Sequence, residues 1–232
     1  MLKKIFEYLL YITVFLLPLQ TRWIIFPGEL NGAYFEYGSI SLYAVDILII
    51  AMLFFVFGDF FAKRLSDFEI KDYWWILAVL EFSVFVSIVF SFDKLVSFYG
   101  YSKFLLGIGF FYLVINQQKN RFKLIYSFLA GVFLQALLGI WQFLSQTTFS
   151  TKWLGLANHD PAVLGVSVVE TADGVRWLRA YGGLDHPNIL GGFLVIGIFL
   201  LIFLIIQNSK SEAKNPKQFQ ISNFKSFCYF LK

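Results

Sequence analysis

The 232-residue chain has few of the residues that build catalytic sites and soluble surfaces. Its single cysteine, Cys228, excludes an internal disulfide and any zinc site built from thiolates. Charged residues make up only 15%, whereas soluble domains typically carry about 25%. Hydrophobic residues make up 58% and aromatic residues 21%, so the composition predicts a polytopic membrane protein.

Histidines, the commonest metal ligands, are also scarce, because the chain has only two of them. His159, Asp160 and His186 have side chains that can bind zinc, but their spacing is loose and there is no third histidine. We therefore predict that the chain binds neither a metal nor a cofactor.

Six hydrophobic segments predict a membrane domain at residues 1–207. Five of them reach the ~20 residues that a helix needs to cross the hydrocarbon core. The first is shorter and has signal-peptide character, but no A-x-A-like cleavage site follows it, so we predict an uncleaved span. The expected fold class is an all-α polytopic membrane protein with about six transmembrane helices, at 5–19, 40–62, 73–92, 95–115, 122–144 and 188–207.

The distribution of lysine and arginine predicts the orientation of these spans. With a cytoplasmic N-terminus, 13 of the 19 cations fall inside, five fall outside, and Lys103 lies within a span. Positive charge near span ends is retained in the cytoplasm, so both termini are predicted to be cytoplasmic. The net charge is +4, but in a membrane protein the distribution of basic residues matters more than their sum. We therefore predict a lipid bilayer, and no nucleic acid, as a partner. The inside cations are Lys3, Lys4, Lys63, Arg64, Lys71, Lys119, Arg121, Lys123, Lys210, Lys214, Lys217, Lys225 and Lys232, and the outside ones are Arg22, Lys94, Lys152, Arg176 and Arg179.

The remaining residues, 208–232, are predicted to form a cytoplasmic tail. The tail is polar until about Asn223 and then turns aromatic in FKSFCYFL (224–231). Two interpretations stay open: the start of a seventh hydrophobic segment, and an amphipathic tail that lies on anionic lipid through its lysines.

The longest outside loop, 145–187, contains the pattern of a short β-hairpin. VLGVSVVE (163–170) and VRWLRAYG (175–182) flank TADG, and Asp-Gly is a strong hairpin turn signal. We predict a two-stranded ribbon with its turn near Asp173 and Gly174, after which the chain returns to the membrane at Tyr181.

Four polar residues, Asp46, Glu81, Lys103 and Gln135, lie within predicted spans. A charge at the bilayer centre costs about 2.5–3.5 kcal/mol on insertion scales, so such residues normally face the bundle interior. One interpretation is structural, with Lys103 paired to Glu81 or to Asp46. Glu81 is our more specific choice, because it and Lys103 lie at similar depths on neighbouring antiparallel spans. The other interpretation is an intramembrane polar path in a transporter or a non-catalytic membrane subunit.

The stretch RAYGGLDHPNILGG (179–192) opens the last predicted span with local helix-start signals. Pro187 suits the first turn of a helix, and Asp185 or His186 falls at or next to the N-cap. Asn188 can help to satisfy the first amides. Gly191 and Gly192 are expected to let another element pack closely.

The same stretch also predicts an anion site at the membrane surface. A helix N-terminus favours anions, and the guanidinium group of Arg179 can bind phosphate in a bidentate way. The turn at Gly182 and Gly183 is expected to let the backbone approach the ligand. Arg176 fits a solvated hairpin position slightly better. A lipid phosphate or diphosphate is the ligand that this position favours.

The pattern L-R-A-Y-G-x-x-x-H-P-N-x-L-G-G (178–192) resembles the first exoplasmic arginine motif of the O-antigen ligase and O-antigen polymerase family. LLPLQTRW (16–23) and SISLYAVDILI (39–49) resemble the segments that precede this motif in the family. These bacterial inner-membrane enzymes transfer lipid-linked glycans outside the membrane. Family members have about twice as many spans and a second large loop with further catalytic residues, so the chain resembles the N-terminal half of such an enzyme. One interpretation is that a second polypeptide supplies the other half, and the other is a truncated half that is inactive alone.

The resemblance implies an enzyme that transfers a glycan from an undecaprenyl-diphosphate-linked donor with inversion and without a metal. Arg179 is the catalytic residue that it implies, neutralising charge on the diphosphate, and Arg22 is expected to help. The other predicted substrate contacts are Arg176, His186, Asn188 and Gly182. The acceptor is a glycan, a lipid or a protein.

Overall fold

The structure, a computed structural model, describes residues 2–62, 74–115 and 121–214, and it is mostly helical. Its α-helices are α1 (Leu2–Leu16), α2 (Ala44–Ala62), α3 (Trp74–Phe90), α4 (Lys94–Ile115), α5 (Arg121–Ser145) and α6 (Pro187–Lys214). Three antiparallel strand pairs complete the described fold: β1 (Arg22–Phe26) with β4 (Ile40–Tyr43), β2 (Glu29–Leu30) with β3 (Ala33–Tyr34), and β5 (Val168–Glu170) with β6 (Arg176–Leu178).

The prediction of six spans is not supported. Within the described residues, three helices are long and apolar enough to cross a membrane: α4, α5 and the part of α6 at Pro187–Ser209. The apolar parts of α2 and α3, Ala44–Val56 and Trp75–Phe90, are shorter, and α1 has only 15 residues. Part of the difference has a local cause, because residues 40–43 pair with β1 as a strand instead of beginning the second helix.

Four of the helices share one apolar core. Leu10 and Val14 of α1 meet Met52 of α2, Leu113 of α4 and Leu124 of α5. Helix α5 also packs on α6, and α3 packs on α4.

Several helical glycines lie where a neighbouring element approaches closely, as small residues allow. A Cβ on Gly131 would lie 2.7 Å from the carbonyl oxygen of Phe15, so α1 and α5 approach closely there. Gly139 and Gly109 also lie against side chains of neighbouring helices. By contrast, Gly191 and Gly192 have open space where a Cβ would be, so the close packing predicted at these two is wrong.

The predicted ion pair between Lys103 and Glu81 is wrong, and the alternative with Asp46 is confirmed. The Lys103 amine forms an ion pair with the Asp46 carboxylate, and the Glu81 carboxylate instead accepts a bond from the Tyr101 hydroxyl at 3.0 Å. Asp46 lies in the first turn of α2, where it also accepts the backbone N–H of Tyr43 at 2.9 Å. Such a contact is one half of a capping box, so Asp46 lies at a helix start and not deep in a span.

The loop between α5 and α6 is one residue shorter at each end than the predicted 145–187, and it contains the predicted hairpin. Strands β5 and β6 pair from Val168 opposite Leu178 to Glu170 opposite Arg176. The turn closes where the N–H of Gly174 donates to the carbonyl of Thr171 at 2.9 Å. We call residues 146–186 the long loop and residues 17–43 the first loop.

Helix α6 continues seven residues beyond the predicted end of its span at 207, because it ends at Lys214. The rest of the predicted tail lies outside the described residues, and so do the predicted inside cations Lys63, Arg64, Lys71 and Lys119.

Candidate functional site

The start of α6 is capped by His186, as one interpretation of the sequence predicted. Its Nδ1 accepts the N–H of Asn188 at 3.2 Å, and its carbonyl accepts the N–H groups of Ile189 at 3.0 Å and Leu190 at 3.2 Å. Pro187, which begins the helix, has no N–H group. The amides of residues 188–190 are therefore already satisfied, and an anion at this helix start depends on side chains.

Two buried glutamines of α5 hold the turn that follows Arg179. The Gln142 side chain, only 3% exposed, accepts the N–H groups of Tyr181 at 3.0 Å and Gly182 at 2.7 Å. Its Nε2 donates to the carbonyl of Gly182 at 2.8 Å. Gln135, 4% exposed, accepts the N–H of Gly183 at 2.6 Å. Side-chain amides thus replace water for four backbone groups of the turn.

A third glutamine, just beyond the end of α5, holds the chain before the same turn. The Gln146 Oε1 atom accepts the N–H of Leu178 at 2.7 Å. The sequence indicated Gln135 as a polar residue within a predicted span, but Gln142 and Gln146 were not predicted to take part in this site. The spacing of seven residues between Gln135 and Gln142, which places both on one helix face, was the available signal.

Gly182 shapes this turn and was predicted to bring the backbone close to a ligand. Its φ of +60° is unfavourable for residues that carry a Cβ. A Cβ there would lie 2.6 Å from Oε1 of Gln135 and 3.0 Å from Leu190. The N–H and the carbonyl of Gly182 both bond to Gln142. Gly182 therefore fixes the turn that follows Arg179, and its N–H is not available to a ligand.

Arg179 is positioned by neutral groups. Its Nη1 donates to the Ser167 hydroxyl at 3.1 Å, and its Nη2 donates to Oδ1 of Asn188 at 2.9 Å. Its backbone N–H donates to the carbonyl of Ser167 at 3.2 Å. No carboxylate forms an ion pair with Arg179 in the part of the chain that the structure describes. Arg179 is partly buried as a residue, and its guanidinium thus leaves its charge unpaired and several of its five N–H groups available to another anion.

Arg176, by contrast, is part of the hairpin. Its Nε lies 3.5 Å from the carboxylate of Glu170, which is its cross-strand partner, and its Nη1 donates to the carbonyl of Ala162 at 3.2 Å. Opposite charges at directly facing strand positions stabilise a pair of strands. These contacts agree with the hairpin interpretation of Arg176.

Arg22 lies in the first loop, where its charge is balanced. It forms an ion pair with Glu36 and donates to the Tyr43 hydroxyl at 3.2 Å. Burial alone would lower the pKa of Arg22, but the bonds to Glu36 and Tyr43 raise it above the ordinary arginine value. Arg22 and Arg179 share no hydrogen-bond partner among the residues described.

Charged groups of the two loops act on one another beside this turn. Asp185 is exposed to solvent, but partial desolvation raises its pKa, and the negative charge of Glu36 raises it further, against the opposing effects of Arg22 and His159. Burial lowers the pKa of His159, although Asp185 and Glu36 both act to raise it. Charges of the first loop therefore influence the pKa values of His159 and Asp185 in the long loop.

Aromatic contacts hold the same region together. The ring of His159 stacks on the ring of Tyr181 with centroids 3.8 Å apart and an angle of 11° between the planes. The ring of His186 meets Tyr181 edge-on at 6.4 Å. The Tyr181 hydroxyl accepts the N–H of Ser167 at 2.8 Å, next to the hydroxyl that binds Arg179.

The zinc interpretation of the histidines has no geometric counterpart in the described residues. No group of three or more histidine, cysteine, aspartate or glutamate side chains in these ranges is arranged to hold a metal ion. Asp160 instead accepts the N–H of Ala162 at 2.8 Å, and Nδ1 of His186 caps α6.

The arrangement is therefore a fixed, uncompensated guanidinium at the beginning of a helix long enough to cross a membrane. Such a group binds an anion of suitable geometry, and phosphate oxygens match the two-donor fork of arginine. No protein-family model, no curated protein and no solved structure matches the chain.

Proposed function

We propose that the chain is an O-antigen ligase-like membrane glycosyltransferase, or one part of such an enzyme, in which Arg179 binds the diphosphate of an undecaprenyl-linked glycan. The observation that carries this proposal is the fixation of Arg179 by the neutral groups of Ser167 and Asn188 at the start of α6. The motif around residues 178–192 supports it through its resemblance to the family's arginine motif.

An unbalanced arginine in this position favours a lipid diphosphate over a soluble anion. Helix α6 has no polar side chain from Ile189 to Ile206, so a ligand at Arg179 lies beside the membrane surface when α6 spans the bilayer. The polyprenyl chain of a lipid-linked diphosphate then enters the bilayer while its charged group remains at Arg179. Desolvated charge-assisted bonds of this kind contribute about 1.5–3 kcal/mol each.

In the proposed reaction, the bond between the sugar and the diphosphate breaks and an acceptor hydroxyl forms the new bond. The diphosphate leaves with the bonding electrons, and Arg179 stabilises the negative charge that develops on it. The acceptor hydroxyl releases its proton to a base that we place outside the described residues, because family members carry this base in a second large loop. His186 keeps its capping role in this scheme.

The membrane arrangement is part of the proposal. All six helices are proposed to cross or enter the bacterial inner membrane, with both termini in the cytoplasm and both loops outside. The three helices of sufficient length support the membrane setting, and the excess of inside lysines and arginines supports the orientation.

Binding of undecaprenyl diphosphate to the purified chain in lipid nanodiscs tests the proposal. Arg179→Gln is expected to weaken binding by about 10- to 100-fold, the equivalent of one or two lost charge-assisted bonds. Arg176→Gln in the same loop is the matched control and is expected to leave the affinity within about twofold, because Arg176 is paired with Glu170. Equal affinities of wild type and Arg179→Gln would refute the proposed role.

The alternative of a transporter with a polar path through Asp46, Glu81 and Lys103 has weaker support. Asp46 and Lys103 form an ion pair, and Glu81 accepts a bond from a tyrosine. We therefore do not advance it as a second function.

A further inference from the structure

A cleft lies between the first loop and the long loop. Its volume is about 630 Å³, which is large enough for two or three sugar residues. Side chains and backbone from both loops line it, among them Gln20, Arg22, Trp23, Thr151, Lys152 and Leu156. Of these residues, only Arg22 was predicted from the sequence to contact a substrate.

The two walls of the cleft are fixed to each other. The Thr21 hydroxyl donates to the carbonyl of Trp153 at 2.7 Å, joining positions 132 residues apart in the chain. Gly155 has a φ of +66°, and a Cβ on it would lie 2.1 Å from the carbonyl carbon of Gln20. Only glycine therefore allows this approach, and the cleft is preformed without a ligand.

The turn that forms the second wall is itself closed by backbone bonds. Thr151 and Leu156 exchange two N–H···O bonds of 3.0 Å each. The Leu156 side chain also lies against Gly183, within 3.2 Å of the place where a Cβ would be. One lining residue of the cleft thus contacts the turn that follows Arg179, so the cleft lies next to that turn.

The lining combines one large aromatic surface with hydrogen-bonding groups. Trp23 is 76% exposed, so its indole face is open to a ligand. Gln20, Arg22 and Thr151 supply amide, guanidinium and hydroxyl groups. Carbohydrates match such a surface, because a pyranose ring has an apolar C–H face that packs on an aromatic ring and hydroxyl groups around its edge.

The charge of the cleft selects among carbohydrates. The charge of Arg22 is balanced by Glu36, so Arg22 contributes donors rather than net charge. Lys152 is exposed and has no ion-pair partner in the described ranges, so it supplies the net positive charge. A carboxylate on a sugar is the group that pairs with an ammonium at this position.

We propose that this cleft binds an acidic sugar chain through Trp23 and Lys152. This inference rests on the proposed function in one respect only, the assignment of that chain to the glycan of the lipid-linked donor. A lipid surface fits less well, because the feature is concave and has polar groups along its walls, whereas interfacial aromatic residues insert into a membrane from protruding surfaces.

The test uses free glycans, so it does not depend on Arg179. The detergent-solubilised full chain is applied to an array of bacterial surface glycans, acidic and neutral, that carry neither lipid nor diphosphate. We expect binding to acidic glycans, with at least about a tenfold loss for Trp23→Ala and for Lys152→Gln, the equivalent of one stacking or charge contact. Trp153→Ala is the matched control, because Trp153 is 86% exposed on the same turn, is not among the described residues that line the cleft, and bonds to Thr21 through its carbonyl and not through its ring.

Each result decides between specific alternatives. Binding to no acidic glycan, or equal binding of acidic and neutral glycans that is insensitive to Lys152→Gln, overturns the inference. Absence of glycan binding together with Trp23- and Lys152-dependent binding to phosphatidylglycerol vesicles would show a membrane-docking surface instead. Melting temperatures within about 2 °C of wild type confirm that the variants fold. If Arg179→Gln keeps glycan binding while wild type fails to bind undecaprenyl diphosphate, the cleft stands and the proposed function falls.

Discussion

Gln142 and Gly182 exchange two hydrogen bonds, so a helix side chain holds the turn that positions Arg179. The amide oxygen of Gln142 accepts the Gly182 N–H at 2.7 Å, and its amide nitrogen donates to the Gly182 carbonyl at 2.8 Å. Because the same oxygen also accepts the N–H of Tyr181, one residue satisfies three buried backbone groups. The candidate site therefore depends on packing between α5 and the long loop, and not on the sequence motif alone.

Gln142→Leu is expected to destabilise the protein by at least about 2 kcal/mol. Leucine has a similar volume but leaves two N–H groups and one carbonyl unsatisfied, each at a cost of about 1–3 kcal/mol. The measurement is thermal or denaturant unfolding in detergent. Ser145→Ala is the control, because the exposed Ser145 hydroxyl bonds only within its own helix end, and it is expected to change stability by less than about 0.5 kcal/mol. A Gln142→Leu protein as stable as wild type would contradict the bonding described for this turn.

Gly182→Ala is expected to destabilise the protein more than Gly174→Ala does. Both glycines have positive φ, +60° and +76°, so both substitutions carry the conformational cost of about 1–2 kcal/mol. At position 182 the new methyl group also meets Gln135 at 2.6 Å, whereas at position 174 it meets open space. Comparing the free energies of unfolding isolates the cost of the clash. Equal losses in the two variants would show that Gln135 and Leu190 do not enclose Gly182.

A double-mutant cycle is expected to couple Lys103 to Asp46 and not to Glu81. The first pair forms an ion pair, so Lys103→Met and Asp46→Asn should show a coupling of about 1–3 kcal/mol in unfolding free energy. Glu81 bonds to Tyr101, so the cycle of Lys103→Met with Glu81→Gln should be additive within about 0.5 kcal/mol. Coupling of Lys103 to Glu81 alone would restore the pairing that the sequence suggested.

Asp185→Asn is expected to stabilise the protein at pH 7 and to have no such effect in acid. The folded-state pKa of Asp185 is raised above the ordinary value of 3.8, first by partial desolvation and then by the negative charge of Glu36. A group with a raised folded-state pKa contributes stability below its unfolded pKa and loses it as the pH rises through the folded value. Asparagine removes this loss at neutral pH. A melting temperature of Asp185→Asn at or below that of wild type at pH 7 would contradict the raised pKa.

The same substitution is expected to lower the pKa of His159 further. Asp185 is the largest of the charges that raise the pKa of His159 against the effect of burial. NMR titration of the His159 ring in wild type and Asp185→Asn checks this, and His186→Gln assigns the second histidine signal. An unchanged His159 titration would show that the two groups do not interact.

Local rules predicted several parts of the site from the sequence. Asp173 and Gly174 marked the hairpin turn because few residues adopt the backbone angles of a tight β-turn. His186 and Pro187 marked the start of α6 because N-cap and first-turn preferences are set by amides a few residues away. These signals depend on neighbours within one helical turn, so a single sequence contains them.

Contacts between distant segments were predicted less well. Lys103 pairs with Asp46 and not Glu81 because residues 40–43 pair as a strand with β1, which places Asp46 at the beginning of α2. The bond of Arg22 to Glu36 follows from the fold of the first loop, which carries no regular pattern in the sequence. Such choices depend on which segments meet, and periodicity does not contain that information.

The central claim, that Arg179 binds a lipid-linked diphosphate, is tested most directly by ³¹P NMR of undecaprenyl diphosphate in nanodiscs that contain the protein. Wild type and Arg176→Gln are predicted to shift and broaden both phosphorus resonances in a saturable way. Arg179→Gln is predicted to need about 10- to 100-fold more undecaprenyl diphosphate for the same change. Resonances that respond equally to wild type and Arg179→Gln would contradict the account.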